Sequence, residues 1–283
     1  MTSEMSRLLD AGRAFDAEYG RATPNHRSTA LWSLASLGAD DALLVQWAAV
    51  YETRLHPAPP PEPWPSGEAW PPRLGDPRAW PAYRSLFAEW LHNESVADVL
   101  TPVLPQLMQG CAGASFQGLA RLACAVQSGH GGDLADALAY WACRWWPAPA
   151  AAGSRTADNR TLQALAEQAA NACARSGHRV AQQLVTSAQA MGVLLPYLDD
   201  AAAAAASLSA WRRAFDCAWT ALPASPAPLA KALPWDTITA AAVAASGAHK
   251  VELVAACRHL HAAFGGSIWQ RAATRAVGPD SLA

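Results

Sequence analysis

Long stretches of the sequence are rich in alanine and carry apolar residues at helical spacing, as around residues 201–206. Alanine is the strongest helix former, and apolar residues three or four positions apart share one face of a helix. The sequence has no run of alternating β-branched residues and no Asn-Gly or Asp-Gly hairpin turn. It therefore predicts an all-α protein, a multi-helix bundle.

The ends of the predicted helices follow from glycine and proline clusters and from capping residues such as Asp40. Helices are predicted over residues 3–19, 26–37, 41–55, 81–93, 95–110, 114–128, 132–146, 159–176, 179–195, 201–222, 234–246, 250–264 and 268–277. Helical periodicity continues on both sides of the break at 147–153, so we expect residues 1–283 to form a single domain.

Residues 57–81 are dense in proline and tryptophan and cannot form a regular helix. The segment is too apolar for a solvated linker. We expect it to lie extended over the helical body, anchored by Trp64, Trp70 and Trp80.

Composition limits the classes of function. Hydrophobic residues make up 52% of the 283 residues, charged residues 16%, and the net charge is −2. No basic patch stands out, so a nucleic-acid partner is not expected. The chain has no uninterrupted apolar run of membrane-spanning length and no signal-peptide core near Met1, so we expect a cytoplasmic protein without membrane contact. Six cysteines without a CxxC pair are typical of small buried side chains in a reducing compartment.

Three histidines, His26, His178 and His249, stand at or near the starts of predicted helices. Helix starts can converge on one cavity, and imidazole is the commonest metal ligand at neutral pH. Glu252 follows His249 by three residues, which places both side chains on one helix face. A metal site is one interpretation of the pattern. The more ordinary interpretation is that each histidine makes a local hydrogen bond at a helix start and that Glu252 is solvated.

Other catalytic motifs are absent. The sequence lacks GxSxG, GxxxxGK[ST], GxGxxG and HExxH. Thirteen tryptophans are present, and Trp141, Trp145 and Trp146 follow Tyr140 closely. Most would fill the core, but an aromatic-lined cavity for a flat polycyclic ligand is the alternative.

Three segments in order resemble the questin oxidase-like family. The first, residues 25–39, begins Asn-His-Arg and ends Leu-Gly-Ala. The second comprises Ser-Phe-Gln-Gly-Leu-Ala-Arg-Leu at 115–122 and Ala-Leu-Ala-Tyr-Trp-Ala at 137–142. The third is His-Lys-Val-Glu-Leu-Val-Ala-Ala at 249–256.

The resemblance implies a largely helical fold and an oxygenase. Fungal members open a ring of anthraquinones in a Baeyer–Villiger-like oxidation to which NADPH has been linked. Some members hold a non-haem iron with several histidines and a carboxylated lysine. Carried over, His26 and His249 match ligand positions, and His178 is a third candidate.

Two positions depart from the family pattern. Gln117 stands where the family usually has histidine, and Glu252 stands where it has lysine. A glutamate offers the same carboxylate chemistry as a carboxylated lysine, whereas a glutamine amide is a poor replacement for imidazole. The expected site is Fe(II) held by His26, His178, His249 and Glu252, with Gln117 and Glu252 taking part in catalysis.

The leading hypothesis is therefore an iron-dependent oxygenase acting on a polycyclic aromatic or quinone-like small molecule. The alternative is a non-catalytic helical protein that binds a hydrophobic ligand. A third hypothesis makes residues 57–81 a docking surface for a partner, and burial of that segment would count against it.

Overall fold

The computed structural model describes residues 2–147, 161–245 and 247–278. The predicted helix start at Asn159, much of the break at 147–153 and the predicted helix end at Ser246 lie outside these residues.

Thirteen α-helices account for most of the described residues, and the all-α prediction is confirmed. The helices are α1 (Ser3–Gly12), α2 (Arg27–Ser36), α3 (Asp41–Glu52), α4 (Trp80–Asn93), α5 (Val96–Met108), α6 (Gln117–Ser128), α7 (Gly131–Cys143), α8 (Leu162–Ser176), α9 (Arg179–Leu194), α10 (Ala201–Trp219), α11 (Trp235–Ala245), α12 (Ala248–Phe264) and α13 (Ile268–Val277).

The prediction of a helix over 3–19 is wrong in its second half. α1 ends at Gly12, and the chain then forms a two-stranded antiparallel hairpin of β1 (Glu18–Tyr19) and β2 (Thr23–Pro24). The turn between the strands contains Gly20 and Ala22, both at positive φ. A hairpin of two-residue strands is too short to leave a period-two pattern in the sequence.

Buried apolar side chains form one contiguous cluster from Met5 in α1 to Ala276 in α13. α12 packs against α2, α9 and α13, while α6 packs against α2, α7 and α9. Helices α2, α6, α9 and α12 therefore enclose the region in which the candidate site lies. Within the described residues, no helix combines the length and the apolar character needed to cross a membrane.

The segment 57–79 is irregular apart from two short 3₁₀ turns, Pro71–Arg73 and Pro77–Ala79. Trp64 and Trp70 pack on Tyr83 of α4, with ring centroids 4.8 and 6.5 Å apart. Trp80 is buried but opens α4. Trp64 and Trp70 are half-buried and hold the segment against the body of the protein, but most of residues 57–79 are exposed. The criterion of burial is therefore not met, and the docking surface stays a hypothesis.

The expectation that the cysteines are buried holds for four of the six. Cys111, Cys143, Cys173 and Cys257 are buried, Cys124 is half-buried and Cys217 is exposed. All six are free thiols.

Candidate metal centre

His26 immediately precedes α2 and is almost fully buried, with 4% of its surface exposed. The neighbouring Asn25 fixes the chain: its Nδ2 donates to the carbonyl of Asp16 at 2.9 Å, and its Oδ1 accepts from the N–H of Arg27 at 2.9 Å. The backbone N–H of His26 donates to the hydroxyl of Tyr51 at 3.0 Å. These contacts hold the imidazole in one place at the start of the helix.

His249 and Glu252 lie in the first turns of α12, which docks on α2. Their spacing of three places both side chains on one face, as the sequence predicted. This face meets His26: Nδ1 of His26 lies 3.0 Å from Oε1 of Glu252. Nδ1 of His249 lies 3.6 Å from Oε2 of the same carboxylate.

His26, His249 and Glu252 therefore form a compact group. One potential ligand atom from each lies within 4.8 Å of the other two. The two imidazole rings meet edge to face, with centroids 4.2 Å apart. The hydroxyl of Thr29, one turn into α2, also contacts Oε1 of Glu252. Two histidines and one carboxylate thus converge from opposite ends of the chain.

The carboxyl of Glu252 is held in its ionised form. Burial of this side chain, which is 15% exposed, by itself raises the pKa. The adjoining rings of His26 and His249 act in the opposite direction and outweigh burial, so the pKa of Glu252 lies well below its ordinary value. The carboxylate of Glu252 therefore carries a negative charge at neutral pH, which suits a cation.

One ring nitrogen of the group has no hydrogen-bond partner. Nε2 of His26 is buried, and no described atom satisfies it. A buried polar atom without a partner is uncommon, since desolvation without a compensating bond costs about 1–3 kcal/mol. This nitrogen lies on the side of the ring away from Glu252, so its lack of a partner is a separate feature of the ring. Two imidazoles and an ionised carboxylate close to one another fit a transition-metal ion by the chemistry of their donor atoms.

Gln117 opens α6 and lies beside the group, lining the same cleft as His249 and Glu252. The helix does not begin at 114 as predicted. Ala114, Ser115 and Phe116 adopt left-handed conformations with φ of 47°, 58° and 67°. Each such residue costs about 1–2 kcal/mol, and strain of this kind concentrates at functional sites. The strained turn places the side chain of Gln117 at the cleft.

His178 stands outside the converging group. It precedes α9, as its position in the sequence suggested, and its Nδ1 accepts a hydrogen bond from the N–H of Val180 at 3.3 Å. The ring thus serves as the cap of a helix. The next residue, Arg179, is the one that reaches His249: its Nη2 lies 2.6 Å from Nε2 of that ring. No motif in the sequence pointed to Arg179.

A cavity of about 290 Å³ adjoins the group and is enclosed by α2, α6, α9 and α12. Glu252 and Gln117 lie in its wall together with Trp32. The other lining residues are small or polar: Thr29, Ser33, Ser36, Ala120, Cys124, Gln127, Thr186, Gln189, Ala255, Ala256, Arg258, His259 and Ala262.

The expectation of a cavity lined by Tyr140, Trp141, Trp145 and Trp146 is wrong. Tyr140 and Trp141 are buried on α7, and Trp146 is 69% exposed. Nε1 of Trp145 donates to the carbonyl of Gln106 at 3.0 Å. None of these four residues lines the cavity beside the group. Tyr140 and Trp141 fill the core, as expected for most of the tryptophans, whereas Trp145 is half-buried and Trp146 lies at the surface.

The fold and the site together define a class: a helical protein in which two histidines and a glutamate from distant helices form a compact group next to a cavity. The sequence model described as Questin oxidase-like matches residues 23–183. Because this range is more than half of the 283 residues, the chain belongs to that family. The family indicates an oxidase or oxygenase activity. A search among curated proteins finds no match.

The matched range contains His26 and Gln117 but ends before α12. His249 and Glu252 join the site through the fold rather than through the matched segment. Their place beside His26 rests on the packing of α12 against α2.

Proposed function

We propose that the protein is a metal-dependent oxygenase for a polycyclic aromatic or quinone-like small molecule, with Fe(II) held by His26, His249 and Glu252. The observation that carries the proposal is the convergence of these three side chains, each with one potential ligand atom within 4.8 Å of the other two. Two histidines and one carboxylate are the donor set of non-haem Fe(II) oxygenases. Iron bound there would supply the binding and activation of molecular oxygen.

The surrounding residues hold the donors in position. Oε1 of Glu252 contacts Nδ1 of His26 and accepts from the hydroxyl of Thr29, while Oε2 faces Nδ1 of His249. The ion would be held by Nδ1 of His26, the carboxylate of Glu252 and a ring nitrogen of His249, and it would replace the direct contact between Glu252 and His26. The hydroxyl of Thr29 would keep the carboxylate in place. His178 is left out of the ligand set because its ring caps α9.

The cavity next to the group would hold the organic substrate. Trp32 offers an aromatic face, while Gln117, Gln127 and Gln189 offer amide groups that bind hydroxyl or carbonyl oxygens. We expect a ring compound that carries several oxygen substituents rather than a bare hydrocarbon. Gln117 is the amide next to Glu252, and we propose that it orients the reacting part of the substrate. NADPH, which the family resemblance suggests, would act as the external reductant.

The test is metal analysis of protein purified without a polyhistidine tag and loaded anaerobically with Fe(II). We expect the wild-type protein to retain iron after desalting, and His26→Ala and His249→Ala to bind it at least about a hundredfold more weakly, since even indirect partners of metal ligands contribute tenfold to a hundredfold. Oxygen uptake with a hydroxyanthraquinone, with and without NADPH, then measures the activity of the loaded protein.

Two histidines provide matched controls. His259 lies on α12 like His249 and lines the cavity, but it is outside the converging group. His178 was a ligand candidate from the sequence. We expect His259→Ala and His178→Ala to keep their iron. Loss of iron from His178→Ala would return that residue to the ligand set. A wild-type protein that binds the anthraquinone but neither iron nor oxygen would favour the non-catalytic binding protein.

A further inference from the structure

The guanidinium of Arg179, the first residue of α9, contacts the ring of His249. Nη2 of Arg179 lies 2.6 Å from Nε2 of His249. A guanidinium has five N–H groups and no acceptor, and it stays protonated in proteins, so Nε2 must accept this hydrogen bond. In a neutral imidazole the proton then resides on the other nitrogen, Nδ1, which faces Oε2 of Glu252 at 3.6 Å.

This arrangement conflicts with metal binding through either nitrogen of His249. If Nε2 binds the metal, its lone pair is no longer available to Arg179. If Nδ1 binds the metal, the ring proton moves to Nε2, and two N–H donors then face each other. A ligating imidazole normally donates its second N–H to a carboxylate or carbonyl, and a guanidinium cannot accept it. In both cases Arg179 has to leave.

Charge adds to the conflict. The guanidinium of Arg179 carries a full positive charge and touches His249, a ligand of the proposed metal ion. The guanidinium and the metal ion therefore repel each other. Arg179 has room to withdraw, because it is exposed and borders a small cleft lined by Gln182, Gln183 and Thr186. Gln182 and Gln183 lie three and four residues further along α9, on the same side of the helix. Withdrawal therefore requires a change of one side chain and no repacking of the core.

We propose that Arg179 is a positioning residue that holds His249 in a metal-free hydrogen-bonding pattern and releases it when the metal binds. This inference rests on the iron site proposed above. It gives Arg179 a role opposite to that of a ligand: the residue lowers the affinity of the site, and metal uptake includes a rearrangement of its side chain.

The test is an anaerobic titration with Co(II), followed by the visible absorption of the bound ion. Removing Arg179 removes a charge-assisted hydrogen bond that competes with the metal, so we expect Arg179→Gln to bind Co(II) at least about tenfold more tightly than the wild-type protein. Arg179→Lys keeps the positive charge but loses the planar guanidinium with its several N–H groups. We expect its affinity for Co(II) to lie between those of the wild-type protein and Arg179→Gln. Arg258→Gln is the matched control, since Arg258 lies on α12 and lines the larger cavity. Its Co(II) affinity should equal that of the wild-type protein.

Nitrogen NMR of labelled His249 gives a second readout that does not depend on metal. In the metal-free wild-type protein we expect a protonated Nδ1 and an unprotonated Nε2. In Arg179→Gln this single tautomer should be replaced by a mixture. A merely structural role for Arg179 would leave the tautomer unchanged.

The outcomes separate the two proposals. Equal or weaker Co(II) binding by Arg179→Gln, with a wild-type protein that binds Co(II), overturns the role of Arg179 and leaves the metal site intact. Binding by Arg179→Gln but not by the wild-type protein supports the role strongly. Absence of binding in both proteins overturns the proposed function, and with it this inference.

Discussion

At the scale of single residues, Gln117 occupies a position beside the site where a histidine would add a third imidazole to those of His26 and His249. It borders both the cleft beside His249 and the larger cavity, and Glu252 lines the same two spaces. An amide oxygen is a neutral donor and binds a transition metal less well than an imidazole nitrogen does. In the proposed metal site, Gln117 would thus be a weak donor at the position where the family resemblance implies a histidine.

We expect Gln117→His to tighten metal binding about tenfold or more, because a nearby imidazole can join the three donors. The measurement is a Co(II) titration in parallel with the wild-type protein. Gln183→His is the control, since Gln183 lies one turn from Arg179 and lines the same cleft. It measures the effect of adding a histidine near the site at a position other than 117. A gain no larger in Gln117→His than in Gln183→His would contradict the prediction.

The spacing of single residues predicted part of this site. The sequence places His26, His178 and His249 at helix starts, and all three are found there. A histidine at a helix start can either cap the helix or bind a ligand, and spacing alone does not separate these uses. His178 caps its helix. The contact of Arg179 with His249 joins residues 70 positions apart, and no local pattern reports such a contact.

At the scale of elements, the left-handed turn before α6 requires the close packing of Gly113. A Cβ atom at this position would lie 1.7 Å from the carbonyl oxygen of Arg144. The backbones around Gly113 and Arg144 therefore approach more closely than any side chain allows. This approach fixes the start of α6 and with it the position of Gln117.

Gly113→Ala should destabilise the protein by about 1–3 kcal/mol or more, since overpacking against backbone forces a shift. It should also weaken metal binding, because α6 begins at the site. Chemical denaturation and a Co(II) titration measure the two effects. Gly131→Ala is the matched control: a Cβ at Gly131 meets nothing within 4 Å. A Gly113→Ala protein as stable as Gly131→Ala would show that the turn tolerates a side chain.

Most elements could be predicted from local chemistry. Asp40 caps α3 through the N–H of Leu43 at 2.8 Å, as its place before an apolar run suggested. Two regions differed for different reasons. The hairpin of β1 and β2 is too short to leave a sequence pattern. The turn at 114–116 follows Gly113, whose close approach to the backbone of Arg144 joins residues distant in sequence.

At the scale of the whole molecule, the site links the first and last thirds of the chain. His26 immediately precedes α2 and Glu252 lies in α12, and their side chains are in direct contact. An ion held by both helices would bind the folded state and not the unfolded chain. Metal binding is therefore expected to stabilise the entire fold.

Free Co(II) at about a hundred times its dissociation constant should add about 2.7 kcal/mol of stability. For a protein of this size, that corresponds to a rise in melting temperature of about 5 °C or more. Differential scanning fluorimetry with and without Co(II) measures the shift, and a chelator should reverse it. His249→Ala should show no shift. An equal shift in His249→Ala would place the stabilising ion elsewhere.

The sequence could not predict this convergence from its own patterns. Helical periodicity indicates which face of α12 is apolar, but it does not say which helix covers that face. The neighbours of α12 are α2, α9, α11 and α13, and these pairings depend on the shapes of the helix surfaces and on the apolar area that each pairing buries. The family resemblance was the one source of long-range information.

Because α12 packs on α2, the site can be completed only late in the synthesis of the protein. His26 leaves the ribosome early, and Glu252 follows only when more than two hundred further residues have been translated. A nascent or truncated chain that lacks α12 has a single imidazole and no carboxylate at this position. At the proposed site, iron insertion would therefore follow translation of α12, and incomplete chains would neither assemble the site nor release damaging oxygen species from it.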